Sequence, residues 1–338
     1  MKKLISLICV LAMVLALAAC GSSAPAAATE APAASTEAPA EDVSADKTFV
    51  VGICQLVQHP ALDAATQGFK DALTEALGDK VTFQEQNASG DSATCSLICN
   101  QFVSDEVDLI MANATASIQA AASATNTIPI LGTSITDYGV ALGVDNWTGV
   151  SGTNSSGTSD LAPLDGQAAM IQELFPDAKT IGLLYCSGEP NSIFQADSME
   201  ALLTDMGYSV ERYTFADSND VSSVTANACS NADVLYIPTD NTAASCTEAI
   251  NNVALSAGIP IVAGEEGLAS GCGVATLSIS YYDLGRATGE MAAEILTEGA
   301  DISTMEVRFA PAFTKEYNAD ICEALNITVP DDYVAIAK

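Results

Sequence analysis

The chain has little positive charge. Its 338 residues include 11 lysines and arginines against 43 aspartates and glutamates, which gives a formal net charge of −32 at pH 7. Nucleic-acid binding needs many lysines and arginines to neutralise phosphates, so this balance argues against DNA or RNA as a partner. The acidity otherwise bears on solubility and carries no information about the fold.

Histidine is scarce as well, because His59 is the only one. One histidine cannot anchor a metal centre by itself, and any Ser–His or Cys–His catalytic pair would have to use it. The sequence also lacks a Gly-x-Ser-x-Gly elbow, a phosphate-binding glycine-rich loop with a lysine, and a His-Glu-x-x-His motif. These absences favour a binding protein over an enzyme, with no catalytic residue, metal or cofactor.

The one long apolar run lies at the N-terminus and is too short to span a bilayer. It covers residues 4–17, follows Lys2 and Lys3, and ends in Leu-Ala-Ala-Cys at residues 17–20. Because a membrane span needs about 20 apolar residues, the pattern predicts a signal peptide over residues 1–19. The Leu-Ala-Ala-Cys box resembles the lipobox of bacterial lipoproteins, in which the cysteine is acylated. We therefore expect Cys20 to anchor the chain to the bacterial cell membrane from outside the cytoplasm, with a plain secretory peptide as the alternative.

A low-complexity segment follows the anchor. Residues 21–46 consist almost wholly of Ala, Pro, Glu, Ser and Thr, and the pentapeptide Thr-Glu-Ala-Pro-Ala occurs at 29–33 and again at 36–40. Without large apolar side chains the segment cannot offset the entropy of ordering, and its prolines keep it extended. We predict a disordered linker over residues 20–46, attached to a membrane only through the N-terminal lipid.

The remaining 290 or so residues alternate between short apolar runs and helical patterns. In the first half we predict strands at 49–53, 81–86, 107–111 and 128–132, with helices at 60–77, 91–104 and 117–126 between them. In the second half we predict strands at 180–186, 210–215, 234–238 and 259–263, with helices at 195–206, 221–230 and 243–256. The fold class is therefore α/β, with two doubly wound parallel-sheet lobes.

Small polar residues cluster where these strands end. The strand edges are residues 55–59, 113–117, 133–138, 187–192, 239–242 and 264–267, and they are rich in Asn, Ser, Thr and Gly. Ligands of open α/β sheets bind outside the carboxyl ends of the strands, near helix N-termini. Any single residue here could simply be a helix cap. The set as a whole predicts a cleft for a small polar ligand, and it includes Gln55 and His59.

Several motifs together resemble the substrate-binding lipoproteins of ABC transporters, in the tryptophan-type branch that is distantly related to leucine/isoleucine/valine receptors. They are the lipobox, the linker, residues 51–55 (Val-Gly-Ile-Cys-Gln), 59–63 (His-Pro-Ala-Leu-Asp), 238–242 (Pro-Thr-Asp-Asn-Thr) and 281–286 (Tyr-Tyr-Asp-Leu-Gly-Arg). The resemblance implies a type I periplasmic binding protein fold that closes on a ligand and delivers it to an ABC permease and its ATPase. A ligand-binding subunit of a membrane sensor or chemoreceptor is the alternative, and a secreted enzyme is a less favoured one.

The resemblance also implies a three-segment hinge, which we place at residues 149–152, 276–280 and 303–308. The first lobe would comprise residues 47–151 and 276–302, and the second 152–275 and 303–338. A helix at 282–297 would pack back on the first lobe. Such a hinge absorbs the rotation of closure while both lobes stay rigid.

The roles of individual residues are likewise implied by the resemblance. The ligand would be an amino acid, with an aromatic one favoured over a branched-chain one or another small polar solute. Its carboxylate would face backbone N–H groups and hydroxyls, and its ammonium would face an acid of the second lobe. The residues implied for the carboxylate are Asn113, Thr115, Thr133 and Ser134. Those implied for the ammonium and its neighbours are Asp240, Asn241, Asn191, Ser192 and either Glu265 or Glu266. The apolar side chain would lie against Tyr185, Phe194 or Tyr138, although Tyr185 fits a core position equally well.

Cysteine usage leaves two interpretations open. Eight cysteines follow the lipobox, an even number that permits disulfides outside the cytoplasm. Cys95 and Cys99, four residues apart on one helix, fit neither a Cys-x-x-Cys redox motif nor a closed zinc site. Buried free thiols explain the pattern as well, and we slightly favour them.

Overall fold

The computed structural model describes residues 47–337. The predicted signal peptide, Cys20 and the linker at 20–46 lie outside this range. Across the described residues, no helix combines the length and the apolar character that a membrane span requires.

Strands and helices alternate along most of the described chain. The strands are β1 Phe49–Gln55, β2 Val81–Asn87, β3 Leu109–Asn113, β4 Ile130–Ile135, β5 Ser155–Ser159, β6 Thr180–Cys186, β7 Ser209–Phe215, β8 Val234–Ile237, β9 Ile261–Ala263, β10 Ala275–Ser278, β11 Arg308–Phe309, β12 Thr314–Tyr317 and β13 Val334–Ala335. The helices are α1 Pro60–Leu77, α2 Ser92–Ser104, α3 Thr115–Ala124, α4 Tyr138–Leu142, α5 Leu164–Leu174, α6 Pro190–Asp205, α7 Val221–Cys229, α8 Asn241–Ala244, α9 Thr247–Ala257, α10 Glu266–Gly271, α11 Tyr281–Glu298 and α12 Ala319–Leu325.

The strands form two sheets, each the centre of one lobe. The first sheet has the order β11-β5-β4-β3-β1-β2 and is parallel throughout. The second has the order β13-β12-β10-β9-β8-β6-β7 and is parallel except where β10 meets β12. Helices cover both faces because the strands are apolar on both sides. The predicted fold class, two doubly wound lobes, is confirmed.

The apolar pattern locates the elements of each lobe closely. The bounds of α1 and β6 coincide with the prediction, and the other predicted elements differ at their ends by a few residues. The largest shift is in α6, which begins at Pro190 instead of residue 195. Proline is well suited to the first turn of a helix, because its missing N–H has no partner there in any case.

The chain crosses between the lobes at three places, and the predicted crossings need correction. Strand β5 pairs with β4 in the first sheet, so the first crossing follows Ser159 instead of lying at 149–152. Strand β10 belongs to the second sheet, which leaves residues 279–280 for the return. Strand β11 pairs with β5, so the last crossing lies at 310–313 instead of 303–308. The first error arises because β5, Ser-Ser-Gly-Thr-Ser, has no apolar residue to indicate a strand.

Helix α11 returns to the first lobe and packs closely against α1, as predicted. Glycines make the contact possible. A Cβ atom at Gly285 would lie 1.9 Å from the carbonyl oxygen of Ala65, and one at Gly68 would lie 2.0 Å from that of Tyr282. The two helix backbones therefore approach within a distance that no larger residue allows.

The eight cysteines of the described residues are all free thiols, and six of them are buried. In the first lobe, Cys54 and Cys95 both contact the hydroxyl of Ser117, at sulfur–oxygen distances of 3.7 and 3.6 Å. The hydrogen bond with Cys95 lowers the pKa of Cys54, but the neighbouring Cys99 and burial outweigh it and raise that pKa to about 12, so the protonated form is favoured. These thiols serve as small core residues.

Candidate functional site

A small polar cavity lies between the two lobes, next to the first two crossings. Its walls come from the carboxyl ends of strands in both sheets and from the helices that follow them. The lining residues are His59, Leu62, Ser134, Thr136, Asp160, Asn191, Thr239, Asp240, Asn241, Ala244, Glu265 and Tyr281. The cavity has a volume of about 10 Å³, which is room for about one water-sized group.

Asp240 is the most firmly held carboxyl group of the cavity. It lies between β8 and α8, and its Oδ1 accepts a hydrogen bond from the N–H of Ala243 at 2.8 Å. Its Oδ2 accepts from the N–H of Cys186 and from the hydroxyl of Ser192, each at 2.7 Å. Burial, together with the nearby carboxylate of Glu189, raises the pKa of Asp240 to about 8. The group is therefore ready to ionise when a positive charge arrives.

Glu265 is a second buried carboxyl group in the second lobe. It caps α10 by accepting hydrogen bonds from the N–H groups of Gly267 at 2.6 Å and Leu268 at 2.5 Å. Burial raises its pKa to about 7 in spite of these bonds, and the charges of Glu266 and Asp160 act in the same direction.

Asp160 is the third buried carboxyl group of the cavity, and it lies on the first crossing between the lobes. The hydroxyl of Tyr281 donates to its Oδ2 at 2.9 Å, and the hydroxyl of Thr136 donates to its Oδ1 at 3.1 Å. Burial raises the pKa of Asp160 to about 6. We refer to Asp160, Asp240 and Glu265 together as the carboxyl triad. Of the residues that the structure describes, no lysine or arginine lines the cavity beside it.

Hydrogen bonds join the lobes across this cavity. His59 Nε2 of the first lobe lies 3.3 Å from Asn241 Oδ1 of the second. The hydroxyls of Thr136 and Thr239 lie 3.3 Å apart, and the amide of Gln195 donates to Thr239 at 2.5 Å and to Thr136 at 3.4 Å. The lobes are thus closed on each other at this point.

Three polar atoms of the lining have no partner in the protein. They are His59 Nδ1, Ser134 Oγ and Asn191 Oδ1, among five buried atoms of this kind in residues 47–337. Their side chains belong to residues only 7%, 6% and 4% exposed. An unpartnered buried polar atom carries a desolvation cost of about 1–3 kcal/mol. Three such atoms face one space and are available to bond with a small polar group.

The backbone at Ser134 is unusual and follows from its position in β4. Its φ is 57°, in the left-handed region that residues other than glycine rarely adopt. The pairing of β4 with β5 changes register between Gly132 and Ile135, which marks a bulge. Bulges redirect side chains near functional sites, and this one places Ser134 in the cavity lining.

A groove adjoins the cavity on the side away from the crossings. Asn241 lines both spaces. The groove has a volume of about 360 Å³. Its apolar lining includes Leu56, Val57 and Ala116 of the first lobe and Ala216 of the second. Because β1, β6 and β7 lie far from the crossing strands in sheet order, this groove is the open side of the cleft.

The structure brings together six of the thirteen residues predicted from sequence as ligand contacts. His59, Ser134, Asn191, Asp240, Asn241 and Glu265 all line the cavity. Ser192 is one step removed, because its hydroxyl donates to Asp240.

The other six lie elsewhere. Gln55 and Asn113 form a network inside the first lobe: the hydroxyl of Thr66 donates to Gln55 at 2.6 Å, and the amide of Asn113 donates to Thr66 at 3.0 Å. Thr133 is buried beside the hydroxyl of Thr158, at 3.3 Å. Thr115 starts α3, and Glu266 lines a different surface groove.

The prediction for Tyr185 as a wall of the site was wrong. Its ring lies in the core of the second lobe, and its hydroxyl accepts a hydrogen bond from Arg212 at 3.3 Å. The alternative that placed it in the core is the correct one. Tyr138 is also a core residue, because its hydroxyl donates to the carbonyl groups of Gly132 and Thr158.

Several lining residues were not predicted. Thr136 and Thr239 fall within the predicted strand edges 133–138 and 239–242, and Tyr281 lies in a motif that carries the family resemblance, but none of them was predicted as a ligand contact. Asp160 follows β5, which has no apolar residue, so the sequence did not indicate a strand end or a site residue there. Glu189 was missed too, although its carboxylate accepts hydrogen bonds from the backbone N–H of Asn241 at 3.0 Å and of Thr242 at 2.8 Å. It holds Asn241 in place against His59.

Within residues 47–337 no three His, Cys, Asp or Glu side chains are grouped in a way that could hold a metal ion. The chemistry of the cavity is instead that of hydrogen-bond acceptors. It combines the carboxyl triad with the unpartnered atoms of His59, Ser134 and Asn191. Such a set suits a small group that carries several N–H donors and a positive charge.

Comparisons with known proteins agree with this architecture. The family described as ABC transporter substrate binding protein matches residues 50–338. A tyrosine-binding protein of Clostridioides difficile (strain R20291) is 38% identical over 280 residues, which cover 82% of this chain and 81% of that protein.

Two solved structures show similar folds. An ABC domain from Streptococcus pneumonia in complex with L-Trp is 31% identical, covers 84% of this chain and 97% of that one, and superposes with a TM-score of 0.80. A ligand-free, open substrate-binding protein with adhesive properties from Clostridium difficile is 37% identical and covers 86% of this chain and 99% of that one, with a TM-score of 0.66. This chain thus superposes less closely on the ligand-free, open structure than on the L-Trp complex. The chain therefore belongs to the substrate-binding proteins of ABC transporters.

Proposed function

We propose that this chain is the extracytoplasmic receptor of an ABC importer and that it captures an aromatic amino acid between its lobes. The observation that carries the proposal is the cavity, where the carboxyl triad and three unpartnered polar atoms surround a space for one water-sized group. An ammonium group has that size and is a triple hydrogen-bond donor. The bound L-Trp of one relative and the name of the tyrosine-binding relative support the aromatic class.

The ammonium group of the ligand would bind to the carboxyl triad. Ionised carboxylates form charge-assisted hydrogen bonds with ammonium groups, and these contribute about 1.5–3 kcal/mol each. The positive charge would lower the raised pKa values of Asp240 and Glu265, because a nearby opposite charge favours ionisation. His59 and Asn191 would complete the contacts from the two lobes.

The ligand carboxylate would lie between the cavity and the groove, near the neutral donors of Ser134 and of the start of helix α3. The hydroxyl of Ser134 is unpartnered there. Helix α3 begins nearby at Thr115, its N-cap Ala114 supplies no side-chain cap, and Ala116 lines the groove. The free N–H groups of a helix N-terminus favour an anion.

The aromatic side chain would occupy the groove. Its volume of about 360 Å³ exceeds that of a phenol or indole ring, and Leu56, Val57, Ala116 and Ala216 offer apolar contacts from both lobes. Burial of such a ring contributes a large hydrophobic term. A ligand placed in this way touches both lobes, so it stabilises the closed form relative to the open one.

Delivery would follow from closure. The closed receptor would dock on the permease, and the ATPase would drive import. Cys20 would hold the receptor at the cell membrane through lipid, and residues 20–46 would act as the linker. We propose no enzymatic activity, because the matched family binds solutes and the polar groups of the cavity serve recognition.

A binding screen tests the proposal. The full-length chain is heated with each of the twenty amino acids, with nucleosides and with sugars, and the shift in melting temperature is measured. A ligand at one hundred times its Kd adds about 2.7 kcal/mol to the free energy of unfolding. We expect shifts for tryptophan, tyrosine or phenylalanine. Shifts confined to sugars or nucleosides, or to acidic amino acids, would overturn the assignment.

A further inference from the structure

The hydrogen-bonding capacity of the cavity is one-sided. Asn241 is oriented by Glu189, because its Nδ2 donates to Glu189 Oε2 at 2.8 Å, and this turns its Oδ1 towards His59. His59 Nε2 must then carry the hydrogen, which leaves Nδ1 as an acceptor. Burial lowers the pKa of His59 and favours this neutral form.

Asn191 is an acceptor for the same kind of reason. Its Nδ2 donates to the carbonyl oxygen of Thr239 at 2.9 Å and to Glu189 Oε2 at 3.2 Å. Its Oδ1 therefore remains as the unpartnered atom. Of the three unpartnered atoms, His59 Nδ1 and Asn191 Oδ1 can only accept a hydrogen bond, and the Ser134 hydroxyl can also donate one. The two acceptors add to the carboxylate oxygens of the carboxyl triad.

The three arginines and Lys315 form ion pairs with carboxylates that do not line the cavity. Arg212 pairs with Asp197 and Glu200, Arg286 with Glu75, Arg308 with Glu294, and Lys315 with Glu173 and Asp332. Among residues 47–337, neither a lysine nor an arginine lines the cavity to hold an anion. A ligand carboxylate would thus meet neutral N–H and O–H donors on one side and the charge of the triad on the other.

Resting on the proposed function, we propose that this site requires a primary ammonium group and does not require a carboxylate, so that aromatic amines bind as well as aromatic amino acids. The ligand class is then the arylethylamine skeleton, with or without its carboxylate. Removal of the carboxylate loses hydrogen bonds to neutral donors, but it also removes repulsion from the triad. Removal of the ammonium leaves the buried acceptors without a partner, which is the more costly loss.

Calorimetric titration of the full-length chain tests this with two matched series. One is L-tyrosine, tyramine and N-acetyl-L-tyrosine, and the other is L-tryptophan, tryptamine and N-acetyl-L-tryptophan. In the series whose amino acid binds, we expect the amine to bind within about tenfold of it, while the N-acetyl derivative loses about 100-fold or more, as expected for lost charged hydrogen bonds.

The outcomes separate this inference from the proposed function. If the amino acid binds and its amine is weaker by more than 100-fold, the inference is wrong and the proposed function stands. If the N-acetyl derivative binds like the free amino acid, the inference is also wrong. If tyrosine, tryptophan and phenylalanine all fail to bind, the proposed function fails and the inference with it.

A pair of variants adds a second test. Glu265→Gln removes one charge of the triad and should weaken the amino acid and the amine by a similar factor, because both use the ammonium. Asp301→Asn is the control, since this carboxylate caps a turn by accepting from the N–H of Ser303 at 3.0 Å, remote from the cavity. It should change neither affinity. A loss confined to the amino acid in Glu265→Gln contradicts the inference.

Discussion

Replacement of Asp240 by asparagine should separate recognition from folding at the cavity. The substitution keeps the shape of the side chain and removes its charge. If Asp240 binds the ligand ammonium, a charge-assisted hydrogen bond is lost, which corresponds to about 1.5–3 kcal/mol or roughly 10- to 150-fold in Kd. Calorimetric titration of an aromatic amino acid at pH 8 measures this directly, because much of the wild-type carboxyl is ionised there.

The same substitution has a cost in stability that must be measured separately. Three donors, the N–H groups of Cys186 and Ala243 and the hydroxyl of Ser192, now point at Asp240. The amide nitrogen of asparagine cannot accept from any of them, so at least one buried donor loses its partner, at about 1–3 kcal/mol. Relief of the buried charge offsets part of this. Thermal unfolding without ligand reports the balance.

Asp233→Asn provides the control. Asp233 Oδ2 also accepts two backbone hydrogen bonds, from Lys179 at 2.8 Å and Thr180 at 2.9 Å, at the opposite end of the second sheet. This variant should lose stability without losing affinity. If Asp240→Asn keeps its affinity within twofold of the original chain, Asp240 does not contact the ligand and the reasoning is refuted.

Three further results are expected. Ligand affinity should rise between pH 5 and pH 8 as the carboxyl triad ionises, and an affinity that does not change with pH would count against the triad. The free energy of unfolding of the free protein should fall over the same range, because the raised pKa values mean that the folded state binds more protons than the unfolded one. Gly285→Val should lower the melting temperature strongly, since a Cβ there lies 1.9 Å from the Ala65 carbonyl oxygen and overpacking costs about 1–3 kcal/mol or more; an unchanged melting temperature would contradict the close α1–α11 contact. Tyr185→Phe should leave affinity unchanged, because it removes only a hydroxyl bonded to Arg212; a tenfold loss on titration would return Tyr185 to the site.

The fold was predictable because its strands are short apolar runs separated by helices. Strands β1 and β6 and helix α1 have apolar residues at the required period, so their positions follow from the sequence. Strand β5 could not be predicted in this way, because Ser155–Ser159 has no apolar residue and is recognised only by its pairing with β4. The lobe boundaries were misplaced for that reason.

The site was partly predictable for a different reason. The strand-edge rule indicates the end of the sheet where a ligand is expected, and the structure places His59, Ser134 and Asp240 of that set around one cavity. It does not give the direction of each side chain. Adjacent residues of a strand point to opposite faces, and Tyr185 and Cys186 accordingly lie in different core clusters on the two sides of the second sheet. Thr136 and Asp160 come together only through the bulge and the crossing, which no local pattern indicates.

A crystal structure of the chain grown with the aromatic amino acid that shifts its melting temperature most would test the central claim directly. We predict that the ligand nitrogen lies within hydrogen-bond distance of at least one carboxylate of the triad, and that residues of both lobes contact the ligand. The ring should lie in the groove beside Leu56 and Ala116. A ligand carboxylate in the cavity instead of the nitrogen, or a ligand held by one lobe alone, would contradict the account.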